Sequence, residues 1–119
     1  MPSEYEALVA ALKLTDIPFA EYGWNKRPEG VYGVVSLDME VSSLDGDGEK
    51  QDRIWEASVD VFLPLLSDRG DATETVEETL TAVCGSAWRQ NSVQYESTTG
   101  LFHIEWICEV QDEVQDTGV

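Results

Sequence analysis

Residues that could bind a ligand or catalyse a reaction are few in this sequence, and the most suggestive of them form an incomplete calcium loop. Ser43, Asp45, Asp47 and Gly48 have the spacing found at the start of an EF-hand loop. The match fails at the last loop position, where Ile54 replaces the bidentate glutamate that the loop requires. The flanking segments also alternate like strands, whereas an EF-hand needs helices. We therefore expect a solvated loop without a metal ion or cofactor.

The arrangement of carboxylates, histidine and glycines in the sequence does not support acid–base or nucleophilic catalysis either. Glu56 and Asp60 fall on one side of a predicted strand, but a chain with 24 acidic residues brings some pairs together by chance. The one histidine, His103, is accompanied by no Gly-x-Ser-x-Gly motif and no cysteine–histidine arrangement. Gly30 and Gly33 are not followed by the Gly-Lys-Ser/Thr that completes a phosphate-binding loop. We therefore expect that the protein is not an enzyme.

The two cysteines, Cys84 and Cys108, do not have the CxxC spacing of a zinc or redox site. Cys84 lies in a helical pattern and Cys108 on the apolar side of a predicted strand, so we expect reduced thiols in the core. A disulfide or a redox pair is the alternative. Three of the four tryptophans lie on or beside apolar stripes, which favours packing in a core or interface over stacking on nucleic acid.

The chain is strongly acidic, with a formal net charge of −17 over 119 residues. The acidic residues are spread along the whole chain, and 42% of the residues are hydrophobic, as in an ordinary globular protein. Such a charge opposes binding to phosphate backbones and suits solubility, a basic partner or a surface that repels DNA. No segment approaches the roughly 20 apolar residues of a membrane span, and no signal peptide is evident. We expect one soluble domain, made in a cytoplasm.

The clearest structural signal is the alternation in 53–64, RIWEASVDVFLP. From Trp55 to Leu63 every second residue is apolar, and Glu56, Ser58 and Asp60 lie between them, which predicts a half-buried strand. The preceding segment 31–41 alternates in the same way, and the turn-rich segment 42–52 separates the two. The sequence therefore predicts a long antiparallel hairpin with one apolar and one acidic face.

The remaining segments predict two helices and three further strands. A capping box formed by Ser3 and Glu6 should start the first helix, and Asp71 with Glu74 should start the second. Residues 111–119 should fray at the C-terminus. The other predicted elements, in chain order, are a helix over 3–14, a strand over 19–24, a turn over 25–30, a helix ending near Trp88, and a hairpin of 92–97 with 101–110.

This order, α-β-β-β-α-β-β, predicts an α+β fold in a single domain spanning 1–119. Because each strand has one apolar face, we expect a mainly antiparallel sheet with both helices packed on one side. The other side of the sheet should carry acidic side chains, namely Asp38, Glu40, Glu56, Asp60, Glu105 and Glu109.

Several of these segments resemble the tail terminator proteins of long-tailed bacteriophages, and the related tail-completion and minor capsid proteins. The similarity covers the order of the elements over most of the chain: the helix, the aromatic strand 19–24, Arg27-Pro28, the strand 31–38 and the acidic loop. Its most specific part is Trp-x-x-x-Val-x-Val-Phe-Leu-Pro, at 55–64. The second helix and the C-terminal hairpin match only in kind, and departures in loop length leave the subfamily and the position in the tail open.

The resemblance implies a virion protein that forms a ring, commonly a hexamer, on the head-proximal end of the tail tube. Its expected partners are further copies of itself, the tail tube protein and the head connector protein, and DNA would pass through without specific binding. We expect the channel or an interface to contain acidic residues: Asp38, Glu40, Asp45, Asp47, Glu56 and Asp60. Lys26, Arg27 and Arg53 are expected to pair with acidic residues of a neighbouring subunit. The alternative is an acidic DNA mimic that inhibits a basic DNA-binding protein.

Overall fold

The structure, a computed structural model, describes residues 2–41 and 54–111. The predicted hairpin loop, including Asp45, Asp47 and Arg53, lies outside the described residues, as does the predicted fraying segment beyond Gln111. The element order is the predicted one. The elements are α1 (Ser3–Lys13), β1 (Phe19–Glu21), β2 (Tyr32–Glu40), β3 (Ile54–Leu63), a short 3-10 helix (Leu66–Asp68), α2 (Arg69–Cys84), β4 (Trp88–Glu96) and β5 (Leu101–Gln111).

The strands form one five-stranded sheet in the order β1-β2-β3-β5-β4, with β3 at its centre. The two predicted hairpins are confirmed, because β2 pairs antiparallel with β3 and β4 pairs antiparallel with β5. β3 and β5 are also antiparallel and pair along the whole of β3. Only β1 runs parallel to its neighbour β2. The predicted α+β fold with a mainly antiparallel sheet is therefore confirmed.

The apolar residues of the strands meet the helices on one side of the sheet. Val59 lies opposite Val35 on β2 and Trp106 on β5, and all three side chains are fully buried. The indole N–H of Trp106 donates a 2.9 Å hydrogen bond to Glu77 of α2, so the one polar atom of this core tryptophan has a partner. The helices contribute the buried side chains Tyr5, Leu8, Val9, Leu12, Ala72, Val76 and Leu80.

The helix ends differ from the sequence prediction. Neither of the two predicted N-terminal capping motifs forms. The N-cap residue is Pro2 in α1 and Asp68 in α2, and neither makes a side-chain capping hydrogen bond. The second helix was also predicted too long. It ends at Cys84 because Gly85 adopts a left-handed backbone angle, φ = 62°, which favours glycine and breaks the helical path. Trp88 therefore begins β4 and does not end the helix.

A glycine allows β1 to pack closely on β2. Phe19 and Gly33 are register partners, and a Cβ atom at position 33 would overlap the Phe19 ring. The Gly33 carbonyl also accepts a 3.0 Å hydrogen bond from the indole of Trp24. Because Gly33 has no side chain, the Phe19 ring can lie directly against β2.

We predict that Gly33→Ala lowers the free energy of unfolding by about 1–3 kcal/mol, because the added methyl group forces the Phe19 ring out of a packed position. Urea unfolding would measure this change. Gly70→Ala is the matched control, because Gly70 lies in α2 and no atom lies within 4 Å of a Cβ added there. The control should leave stability unchanged or slightly raised. Equal stabilities of the two variants would contradict the prediction.

Candidate functional site

The face of the sheet turned away from the helices, here called the open face, carries most of the polar groups of the central strands. Residues that are directly opposite across the sheet point to the same face. The residues of β3 and β5 that alternate with the core residues therefore share this face. They are Ile54, Glu56, Ser58, Asp60 and Phe62 on β3, and Leu101, His103, Glu105, Ile107, Glu109 and Gln111 on β5.

Two pairs of carboxylates face each other across the central strands of the open face. Asp60 is the register partner of Glu105, and Glu56 is the register partner of Glu109. Cβ atoms of directly opposite residues lie about 4.5–5.5 Å apart, and like charges in such positions destabilise a sheet. The open face therefore concentrates negative charge at a position where that charge opposes folding.

One of the two pairs is compensated by neighbouring side chains. Nε2 of His103 lies 2.6 Å from Oδ1 of Asp60, and Nδ2 of Asn91 donates a 2.7 Å hydrogen bond to Glu105. In residues 2–41 and 54–111, no side chain forms a hydrogen bond or ion pair with Glu56 or Glu109. Within that part of the chain the second pair lacks the direct contacts that Asp60 and Glu105 have, although Arg89 lies on the same face, opposite Ile107.

The predicted acidic residues do not all share the open face. Asp38 belongs to it, because its Oδ2 accepts a 2.5 Å hydrogen bond from Ser58, the one buried polar residue of the described chain. Glu40 does not. An irregularity between Leu37 and Glu40 shifts the register, so that Glu40 lies opposite Trp55, whose side chain is on the helix side. The prediction that Asp38 and Glu40 share one face is therefore wrong, because the bulge reverses the alternation.

A stack of three rings crosses the open face beside the acidic pairs. The ring centroids of Tyr32 and Phe62 are 4.9 Å apart, and those of Phe62 and His103 are 4.3 Å apart. Alternation along single strands does not predict this stack, because its members come from three strands and meet only through the register. The three residues differ in chemical type. The only feature of the sequence that could have indicated the stack is that all three lie on the polar side of alternating strands.

The surroundings of His103 favour its protonated form. The hydrogen bond to Asp60 raises the pKa of His103 above its usual value of 6.5, and this effect outweighs the opposing effect of burial. The carboxylates of Glu96 and Glu105 raise it further, and Oε2 of Glu96 lies 3.7 Å from Nδ1 of the ring. Below this raised pKa, the protonated ring of His103 is a local positive charge beside Asp60 on an otherwise acidic surface.

The predicted basic residues that the structure describes lie outside the central strands β3 and β5. Lys26 and Arg27 are exposed in the connection between β1 and β2. Neither forms an ion pair with another of the described residues. Both cations are therefore available at the surface, at the edge of the sheet that β1 forms.

Both cysteines are free thiols, Cys108 buried in the core and Cys84 partly buried against it. Cys108 is buried on the helix side of β5, as predicted, and Cys84 ends α2. The thiol of Cys108 donates a 3.9 Å hydrogen bond to the Ala57 carbonyl. Interaction between the two thiols lowers the pKa of Cys84, and the same interaction together with burial raises the pKa of Cys108. The expectation of reduced core thiols agrees with this arrangement.

No group of three or more histidine, cysteine, aspartate or glutamate residues in the described chain could hold a metal ion. Neither described helix has the length and apolar character needed to cross a membrane. No protein-family model matches the sequence, and no curated protein matches it significantly.

We predict that His103 stabilises the fold below its raised pKa and that this contribution is lost as pH rises through that value. The sign follows from the direction of the shift, because the folded state binds the proton more tightly than the unfolded chain, whose value is near 6.5. The difference in unfolding free energy between the protein and His103→Gln should therefore be larger at about pH 6 than at about pH 9. Urea unfolding at both pH values would measure it, and a pH-independent difference would contradict the prediction.

Proposed function

We propose that this protein is a structural protein of a long-tailed bacteriophage, which forms a ring on the head-proximal end of the tail tube. There the ring ends polymerisation of the tube and offers the surface that docks to the head connector. The proposal combines the sequence resemblance with the fold. The most specific part of the resemblance, Trp55 to Pro64, includes the central strand β3, and the order of elements is the one expected.

The observation that carries the proposal is the opposed pair Glu56 and Glu109 on the open face. Directly opposite like charges cost stability, and a neutral side chain at either position would remove that cost. A surface that must repel phosphate groups gives a reason for keeping both charges. DNA that passes through a narrow acidic channel is repelled from its wall and slides without binding, provided that the gap between DNA and wall is within the screening length of about 8 Å at physiological salt.

The alternative, a DNA mimic that inhibits a basic protein, also uses negative charge. A mimic needs its acidic groups in one strip that imitates the spacing of phosphates. In this chain the acidic residues are divided between opposite sides of the domain. Glu56, Asp60, Glu105 and Glu109 lie on the open face, whereas Glu74, Glu77 and Glu78 lie on α2, on the helix side. This division supports a protein with several contact surfaces over a mimic with one.

We predict that the purified protein stops the growth of tubes assembled from the tail tube protein of the same phage. Because a ring blocks only the growing end, amounts far below those of the tube protein should suffice. Tube lengths and the rings at their ends would be measured by negative-stain electron microscopy, and the stoichiometry of the ring by native mass spectrometry.

Bovine serum albumin at the same concentration is the control for non-specific effects on polymerisation. Tubes that lengthen normally and carry no additional density at either end would overturn the proposal. Retention of a basic DNA-binding protein from host lysate, without binding to tubes, would favour the DNA mimic.

We predict that the variant Glu56→Gln/Glu109→Gln is more stable than the parent protein but slows DNA ejection. Removing the opposed charges should raise the free energy of unfolding by roughly 0.2–1 kcal/mol. The same change removes repulsion from the proposed channel wall, so DNA should leave assembled virions more slowly. Urea unfolding and a fluorescence assay of triggered ejection would measure the two effects.

The matched control is Glu6→Gln/Asp16→Asn, which removes the same charge from exposed positions in α1 and the turn that follows it. The control should leave the ejection rate unchanged. Normal ejection by the Glu56/Glu109 variant in assembled virions would exclude the open face from the channel, while the tube assay would still test the proposed ring.

A further inference from the structure

A groove between α2 and the start of β4 has the composition of a binding site for a cationic side chain. It has a volume of about 540 Å³ and is lined by Glu74, Glu77, Glu78, Thr81, Ala82 and Trp88. Three carboxylates and the indole of Trp88 therefore line the same groove. This groove is here called the acidic groove.

Two hydrogen bonds orient side chains that line the acidic groove. The indole N–H of Trp88 donates a 3.1 Å hydrogen bond to Oγ1 of Thr81, which orients the ring against α2. Oε2 of Glu77 accepts the 2.9 Å hydrogen bond from the buried Trp106, which fixes that carboxylate. An aromatic face beside fixed carboxylates suits a guanidinium or ammonium group, which binds through cation–π contact and charge-assisted hydrogen bonds.

The helix itself does not account for the cluster of glutamates in the groove. The helix dipole favours acidic residues only in the first turn, and α2 begins at Arg69, more than one turn before Glu74. Glu74 and Glu78 are spaced i,i+4, an arrangement in which like charges destabilise an isolated helix. Both are exposed. A cation supplied from outside this copy of the chain would offset that repulsion.

The same chain carries a matching cationic group. Lys26 and Arg27 are the only two adjacent basic residues among the seven in the sequence. They are exposed in the connection between β1 and β2, and Pro28 follows them directly and restricts the backbone there. This segment, 25–30, is here called the basic turn.

The positions of the two surfaces exclude a contact within one copy and favour a contact between copies. The basic turn adjoins β1, at one edge of the sheet, and the acidic groove adjoins β4, at the opposite edge. Four strand spacings separate these edges, about 19 Å. Two different, complementary surfaces on opposite sides of a subunit make a head-to-tail contact, which closes into a ring when the rotation between neighbours permits.

We infer that the subunits associate head to tail, with Lys26 and Arg27 of one copy bound in the acidic groove of the next. Arg27 stacks on Trp88 and pairs with the glutamates, while Lys26 lies at the rim. This inference rests on the proposed ring and names the residues that hold neighbouring subunits together. It also gives a strongly acidic chain a specific attraction between copies that would otherwise repel each other.

Charge reversal tests the contact directly. Lys26→Glu/Arg27→Glu and Glu74→Lys/Glu78→Lys should each weaken self-association by about tenfold or more, because each places like charges in the contact. An equal mixture of the two variants should recover association, since each turn then meets a groove of opposite charge. Sedimentation velocity over a concentration series would measure all three samples.

Matched controls reverse the same number of charges elsewhere. Lys13→Glu/Arg69→Glu corresponds to the first variant and Glu6→Lys/Asp16→Lys to the second, and all four positions are exposed. Circular dichroism would establish that every variant is folded. The inference is overturned if the variants associate as their controls do, or if the mixture of the two variants does not recover association.

A cross-linking experiment locates the contact and remains informative if association is weak. A carbodiimide joins an ammonium group to a carboxylate that touches it, and a mixture of unlabelled and nitrogen-15-labelled protein distinguishes links between copies from links within one. We expect mixed-isotope peptides that join Lys26 to Glu74, Glu77 or Glu78. Their absence at the highest attainable concentration would overturn the inference.

Failure of this contact and failure of the proposed function have different outcomes. A protein that caps tail tubes but lacks the cross-link retains the proposed function and uses another interface. A protein that shows the cross-link and the charge-swap recovery but does not cap tubes has the head-to-tail contact in an assembly of another kind. A basic segment of a different protein occupies the groove if the glutamate variant alone impairs function while self-association is unchanged.

Discussion

The structure depends on β3 being paired on both of its edges while its two faces meet opposite environments. Ala57, Val59, Val61 and Leu63 are completely buried against the helix side of the sheet. The residues between them carry the charges of the open face. Because the strand is held by β2 and β5 together, its alternation fixes which side chains of both neighbours face the core. A slip of one residue would exchange buried valines for carboxylates, so the register is strongly specified.

This arrangement explains how the sheet accommodates opposed carboxylates. Burying a valine or leucine side chain contributes about 1.5–3 kcal/mol. A like-charged cross-strand pair costs roughly 0.2–1 kcal/mol. The core face of the same strand therefore outweighs the electrostatic cost on its open face. His103 and Asn91 reduce that cost at one pair by contacting Asp60 and Glu105. The fold can thus carry a negative surface that no single strand would favour by itself.

The sequence predicted the elements and the sides of the central strands well, because alternation directly reports burial on one face. It failed where geometry depends on a single backbone position. Apolar and polar residues around Asp38 and Glu40 alternate without interruption. The sequence therefore does not indicate the bulge that moves Glu40 to the helix side of the sheet. The helical spacing continues past Gly85, and only the left-handed angle there shows that Trp88 belongs to a strand. The acidic groove follows from that strand start, and sequence periodicity could not predict it.

The shortness of β1 has a consequence for the behaviour of the protein at high concentration. β1 covers β2 only along Gly33–Val35, so among the described residues no strand pairs with the outer edge of β2 from Ser36 to Glu40. A flat, uncovered edge of this kind is a template for adding strands from other chains. The bulge lies within this stretch of β2, so that Asp38 lies on the open face of the sheet and Glu40 on the helix side. The edge is a poor template, so copies of the chain can meet through side chains at high concentration without growing into fibres.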